Sequence, residues 1–152
     1  MLDAIAENAL RFTGAKDALI RLERDGKLVL VAHHGEVPWG GELGTAIAIE
    51  PTSVNGRAFL EGRTVQVGDL LGPEGNEYAS ARARATRWGY RASLAAPLVR
   101  QGGVIGTILL RKMEPVAFDE KQVKLIEAFA DQAVIAIENR SEERRVGKEC
   151  RL

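Results

Sequence analysis

The sequence has 152 residues, enough for one domain with a buried core and too few for two of ordinary size. Hydrophobic residues make up 45% and charged residues 28%, a balance that excludes disordered and collagen-like chains. The 21 Lys and Arg match the 21 Asp and Glu, so net charge points neither to nucleic acid nor to an acidic membrane surface as a partner.

No apolar run reaches the length of a membrane span, and the start MLDAIAENALRF lacks the basic-then-apolar pattern of a signal peptide. A cytoplasmic location is therefore expected. The single cysteine, Cys150, excludes an internal disulfide and any chemistry needing a thiol pair.

In chain order, Leu2, Ile5, Ala9 and Phe12 recur at spacings of three and four, which predicts a helix with one apolar stripe, closed at Gly14. Alternating residues from Ala18 to Glu23, then Leu28 to His34, predict two strands joined at Asp25-Gly26, a type I′ hairpin signal. That turn would set Arg24 opposite Lys27, Leu22 opposite Val29 and Ile20 opposite Val31, with His33 on the same apolar face. Gly35 to Gly44, with Pro38 and Trp39, reads as loop, and Thr45 to Glu50 as a short strand. Ser53 caps a helix, SVNGRAFLEG, that turns Val54 and Ala58 inward and stops at Gly62.

A short extended piece, TVQV, leads to Asp69. Leu70 to Asn76 reads as loop and YASARARATRWG as a helix closed by Gly89. Ser93–Val99 and Val104–Arg111 form a second hairpin turning at Gln101-Gly102, with Val99 opposite Val104 and Ala95 opposite Ile108. Its two apolar faces predict the middle of a covered sheet. Asp119 caps a final helix, Glu120 to Asn139, whose apolar positions Val123, Ile126, Ala130, Ala133 and Ile137 are joined by Leu125, Phe129, Val134 and Ala136. That stripe is too wide for one contact. A homodimer through a bundle of the first and last helices is expected, unless the two satisfy each other within one chain.

The tail from Arg140 to Leu152, RSEERRVGKECRL, has no apolar periodicity, and RSEERRVGKEC looks like the translation of a common sequencing-library adapter. The expectation is a domain over 1–139 with a natural chain continuing past Asn139, and 140–152 set aside as foreign. The alternative is a charged, solvated extension of the helix. Without the tail the net charge is −2. Hairpins in place of β-α-β repeats predict an α+β domain, an antiparallel sheet with helices on both faces.

Catalytic motifs are absent: no GxSxG, P-loop, GxGxxG, HExxH or CxxC occurs, so neither catalytic nor metal residues are assigned. His33 and His34 are adjacent on a strand and project to opposite faces, so they cannot chelate one ion. Arg82, Arg84, Arg87 and Arg91 lie close together, with Arg84, Arg87 and Arg91 on one helical face and Trp88 available to stack on a base. An anion site and a solvated helix face both fit them. The lack of other basic clustering favours the second.

Five blocks in order, GAKDALIRL, LVLVAHHG, SVNGRAFLEGRTVQVGDLL, WGYRASLAAPLVRQGGVIGTILL and FDEKQVKLIEAFADQAVIAIEN, make residues 4–139 resemble a GAF domain, the small-molecule sensor module of bacterial signalling proteins. The resemblance implies terminal helices on one face of the sheet and a ligand pocket under the short helices on the other. It places Val67, Asp69, Tyr78, Trp88, Arg91, Ser93 and Ala95 near that pocket. Bilin-binding and methionine-sulfoxide-reducing members use cysteines that residues 1–139 lack, and the Asn-Lys pair of cyclic-nucleotide binders is missing, so the resemblance leaves the ligand and any cofactor unknown. It implies a regulatory module, not an enzyme, that controls a histidine kinase or a cyclase. The alternatives are an enzyme of the same fold and a dimerisation module without ligand.

Overall fold

The computed structural model describes residues 1–36 and 42–149, with side chains described through Asn139. The loop expected around Pro38 and Trp39 lies largely outside the described residues, as does Cys150. Ten elements and one 3₁₀ turn build the domain: α1 (Leu2–Thr13), β1 (Asp17–Arg24), β2 (Lys27–Gly35), β3 (Ala46–Ala48), α2 (Val54–Glu61), β4 (Val65–Val67), the turn Pro73–Glu77, α3 (Ala79–Trp88), β5 (Ala92–Arg100), β6 (Gly103–Lys112) and α4 (Glu120–Glu149). The strands form one sheet, β3-β2-β1-β6-β5-β4, antiparallel at every pairing. The α+β expectation is met.

Local chemistry explains the element ends. Asp25 and Gly26 both take positive φ, 52° and 79°, as the two central residues of a type I′ turn require. Ser53 accepts a hydrogen bond at 2.9 Å from the Gly56 amide and so caps α2, while Gly62 ends that helix in the left-handed region. At the start of α4 the Gln122 amide donates to Asp119 Oδ1 at 2.8 Å, and the Asp119 amide donates to Gln122 Oε1 at 2.9 Å. That reciprocal pair is a capping box.

The sheet is covered on both sides. Ile5, Ala6 and Ala9 of α1, with Ile126, Phe129, Ala130, Ala133 and Val134 of α4, pack on Ala18, Ile20, Leu94, Leu98, Ile108 and Leu110. Val54 and Ala58 of α2, with Ala81 and Ala85 of α3, pack on Leu19, Leu30, Ala95 and Leu109 from the other side. Alternate strand residues therefore enter two different cores, which is why β1 is buried from Asp17 to Leu22 without a break. The Gln122 amide group donates to the Thr13 carbonyl at 2.7 Å and ties the end of α1 to the start of α4.

Several register expectations fail at two irregularities. Between Ile20 and Arg21 the β1–β2 pairing shifts, so Ile20 faces Ala32, Arg21 faces Leu30, and Val31 is the extra residue. Beyond that bulge the parity of β2 reverses, and His33 lies on the Leu19 side, away from the face of Ile20 and Leu22. A second shift at Leu98/Val99 keeps Val99 opposite Val104 but sets Ala95 opposite Leu109 in place of Ile108. Turn chemistry fixes register only as far as the first bulge.

Two helix expectations are also corrected. On α1 the buried positions are Ile5, Ala6, Ala9 and Thr13, and Phe12 is 60% exposed, because the stripe turns from Ala9 to Thr13 at a spacing of four. The backbone of α4 continues helical past Asn139 to Glu149. Arg, Glu and Lys in that segment are good helix formers whatever their origin.

Candidate functional site

The sheet face under α2 and α3 carries the polar groups. Asp17 and Arg111 pair across β1 and β6. The Arg111 guanidinium donates from Nε to Asp17 Oδ1 at 2.9 Å and from its second nitrogen to Oδ2, a two-pronged ion pair that is wholly buried. His33 Nε2 lies 3.1 Å from Asp17 Oδ2, and the Arg111 guanidinium stands 4.6 Å above the Tyr90 ring. Burial acts against the charged form of Arg111, yet the Asp17 carboxylate and the Tyr90 hydroxyl outweigh it and raise its pKa. Beside this group Thr107 donates to Asn55 Oδ1 at 2.9 Å, linking β6 to α2. His34 projects to the other face, where its Nε2 is 2.9 Å from Asp3 of α1.

The residues expected at the pocket divide into two sets. Val67, Ser93 and Ala95 are buried on adjoining strands, Val67 opposite Ser93 and Ala95 opposite Val65. Val67 and Ala95 join Tyr78 and Trp88 in the α2/α3-side cluster, and Ser93 stands opposite Arg111. Arg57 lies 4.4 Å over the Tyr78 ring and Arg87 5.0 Å over the Trp88 ring.

Asp69 and Arg91 bind each other through two bonds, of 2.7 and 2.8 Å. The Asp69 carboxyl also accepts from the Leu71 amide at 3.0 Å, and its pKa is lowered chiefly by the bond from Arg91. This pair ties the segment after β4 to the start of β5, where Leu70 also donates to the Arg91 carbonyl at 2.7 Å. Arg82 reaches the Leu70 and Gly72 carbonyls and the Asn76 side chain. Three of the clustered arginines thus differ in their surroundings: Arg82 serves backbone carbonyls and Asn76, Arg87 lies over Trp88, and Arg91 pairs with Asp69.

Asp17, Arg21 and Arg111 were not among the residues assigned from sequence. The alternation in β1 sets Arg21 on the face opposite Ile20 and Leu22, and α2 and α3 roof that face. The available signal was two arginines, Arg21 and Arg111, each two residues from a core leucine, Leu19 and Leu109. On the opposite side of the sheet a cleft of about 350 Å³ opens beside Arg63, Thr64, Pro97, Val99, Glu127 and Asp131. Among the described residues no group of three His, Cys, Asp or Glu is placed to hold a metal ion. No helix among them is long and apolar enough to cross a membrane.

An antiparallel sheet lies between a terminal-helix layer and a short-helix layer, with polar groups on the short-helix side, and so defines a three-layered α+β domain. The sequence matches the family described as GAF domain over residues 1–137, and the chain belongs to that family. The second GAF domain of DevS from Mycobacterium smegmatis superposes with a TM-score of 0.73 at 27% identity, covering 95% of this chain and 96% of that one. Two further structures share the fold at lower identity. The GAF domain region of a putative membrane protein from Geobacter sulfurreducens has a TM-score of 0.74 at 23% identity, covering 90% of each chain. Free methionine-R-sulfoxide reductase from Neisseria meningitidis, solved with its substrate, has a TM-score of 0.74 at 22% identity, covering 93% of this chain and 78% of that one. A sequence comparison with curated proteins gives no match.

Proposed function

We propose that this GAF domain is a cytoplasmic sensory module of a signal-transduction protein, which takes a small molecule on the α2/α3 face and passes the change through α4 to an output domain, a histidine kinase. The observation that carries the reading is the set of charged groups buried on that face, Asp17, Arg21 and Arg111, which a purely structural core has no need to hold. Val67, Asp69, Tyr78, Trp88, Arg91, Ser93 and Ala95 surround it as the lining and rim. A regulatory role is favoured over an enzymatic one because residues 1–137 contain no cysteine, although the fold also serves a methionine-R-sulfoxide reductase. Thermal-shift screening against nucleotides, tetrapyrroles and metabolites tests the reading: a saturable rise with one class supports it, and no response to any class leaves a structural module.

We also propose that 140–152 is foreign to the domain. Its deletion should leave the melting temperature within about a degree or two, since exposed polar termini contribute little. A loss of several degrees would show that the tail packs.

A further inference from the structure

The outer edge of the sheet has a step in it. β4 pairs with β5 only from Ser93 to Ala95, so from Ala96 to Arg100 β5 is paired on its β6 side alone. The cleft of about 350 Å³ occupies that step, a volume within the roughly 300–1,000 Å³ of small-molecule sites. Gly62, Arg63 and Thr64, which connect α2 to β4, form one wall, and Glu127, Ala130 and Asp131 of α4 form the other.

The floor is apolar. Ala96, Pro97 and Val99 line it, and Val99 is 54% exposed, a branched side chain left with apolar surface to cover. The polar wall has acceptors to spare. Glu127 and Asp131 are four positions apart on α4, so their carboxylates lie on one side of the helix, about 6 Å apart along its axis. Thr64 donates to Glu127 Oε2 at 2.6 Å, and the Asp131 carboxylate is bonded to no donor or cation among the described residues. The cations nearby each have a carboxylate of their own. Arg63 donates to Glu61 through two nitrogens, at 2.7 and 2.6 Å, Arg100 lies 3.7 Å from Glu138, and Lys124 lies 3.4 Å from Glu120.

An acidic pair above an apolar floor calls for an occupant with both characters. We propose that this cleft binds a small alkylammonium ion, whose N–H groups are shared by Glu127 and Asp131 and whose hydrocarbon chain covers Ala96, Pro97 and Val99. An ammonium carries three donors and no acceptor, which suits two carboxylates. A divalent metal ion would need six or more oxygen ligands, and the floor supplies none from side chains. An added peptide strand is disfavoured because Pro97 has no N–H to offer at this edge. The site is separate from the α2/α3 face, and its occupant would tie α4 to the edge of the sheet and to the α2–β4 connection.

The test is an NMR titration of the full chain with n-butylammonium chloride, with sodium chloride at matched ionic strength and sodium butyrate as controls. Saturable shifts at millimolar butylammonium, centred on the amides of 62–64 and 127–131 and absent with both controls, are the expected result. Asp131→Asn should weaken binding about two- to fivefold, as loss of an exposed ion pair does, and Glu127→Gln with Asp131→Asn about tenfold. Glu7→Gln on α1 should leave it unchanged. Both acids of the cleft are exposed, and the spectra of the variants report whether the fold is kept; if the double variant does not fold, Asp131→Asn decides alone. No saturable shift, a shift reproduced by sodium chloride, or binding that survives the substitutions overturns the proposal. Equal binding of butyrate would mean that hydrocarbon alone is recognised and would overturn the cation class. Tighter binding of Nα-acetyl-lysine N-methylamide than of butylammonium would make the occupant a lysine of a partner protein and overturn the small molecule.

Discussion

Asp69 and Arg91 hold the entry to β5, and the chemistry of their pair sets a pH signature. The bond from Arg91 places the Asp69 pKa below its ordinary 3.8, so the folded state favours the ionised form. The stabilisation is fully present above 3.8 and is lost as pH falls through the depressed value. Asp69→Asn should therefore lower the melting temperature at neutral pH, and the gap to the wild type should close in acid. Thermal melts of both proteins across an acid series check this, and a gap that persists at the acid end would refute it. Arg21 has the opposite sign. A base whose pKa is lowered to about 9 by burial costs the folded state most below that pH, and the cost fades as pH rises through 9 toward the ordinary guanidinium value. The difference in melting temperature between the wild type and Arg21→Met should accordingly shift in favour of the wild type as pH rises through 9, as melts of the two proteins side by side would record.

At the scale of elements, the helix ends rest on single residues. Ser53 is buried and caps α2 through the Gly56 amide, so Ser53→Ala should cost about 1 kcal/mol, measurable by urea unfolding; an unchanged midpoint would mean the cap contributes nothing. Such ends were legible in the sequence because they depend on neighbours a few positions apart: Asp25-Gly26 at the first hairpin, Ser53 and Gly62 around α2, Gly89 after α3, Asp119 before α4. The bulges at Ile20/Arg21 and Leu98/Val99 were not legible, since no glycine or proline marks them and they follow from how two strands meet across the sheet. From the first bulge follows the misplacement of His33. The proposed site's rim, Asp69, Tyr78, Trp88 and Arg91, was nameable from the family resemblance. Its charged floor was not, because alternation alone cannot tell a strand face roofed by helices from one that meets water, and Arg21 satisfies either pattern.

For the whole molecule, the apolar surplus of α4 is largely used within one chain. Phe129, Val134 and Ala136 are buried in the core that α1 helps to cover, which leaves Phe12 and Ile135, 60% and 57% exposed, as the large apolar side chains among the described residues of these two helices available to a second copy. We propose a homodimer through α1 and α4 that centres on those two residues. Sedimentation at concentrations on the order of tens of micromolar should show a dimer that Phe12→Glu with Ile135→Glu converts to monomer, since burying a new charge in an apolar contact is costly. A monomer at the outset, or a dimer indifferent to both changes, would refute this route. The sheet order has a kinetic consequence of its own. β1 and β6 lie side by side at the centre, yet their pairing joins Asp17 to Arg111, 94 positions apart, while the hairpins on either side close locally. The chain can therefore assemble two small halves quickly, and the slow event is the closing of the seam between them, where long-range entropy is lost before contact energy is gained. The Asp17–Arg111 pair lies on that seam, so the charges that shape the proposed ligand floor also await the last step of folding.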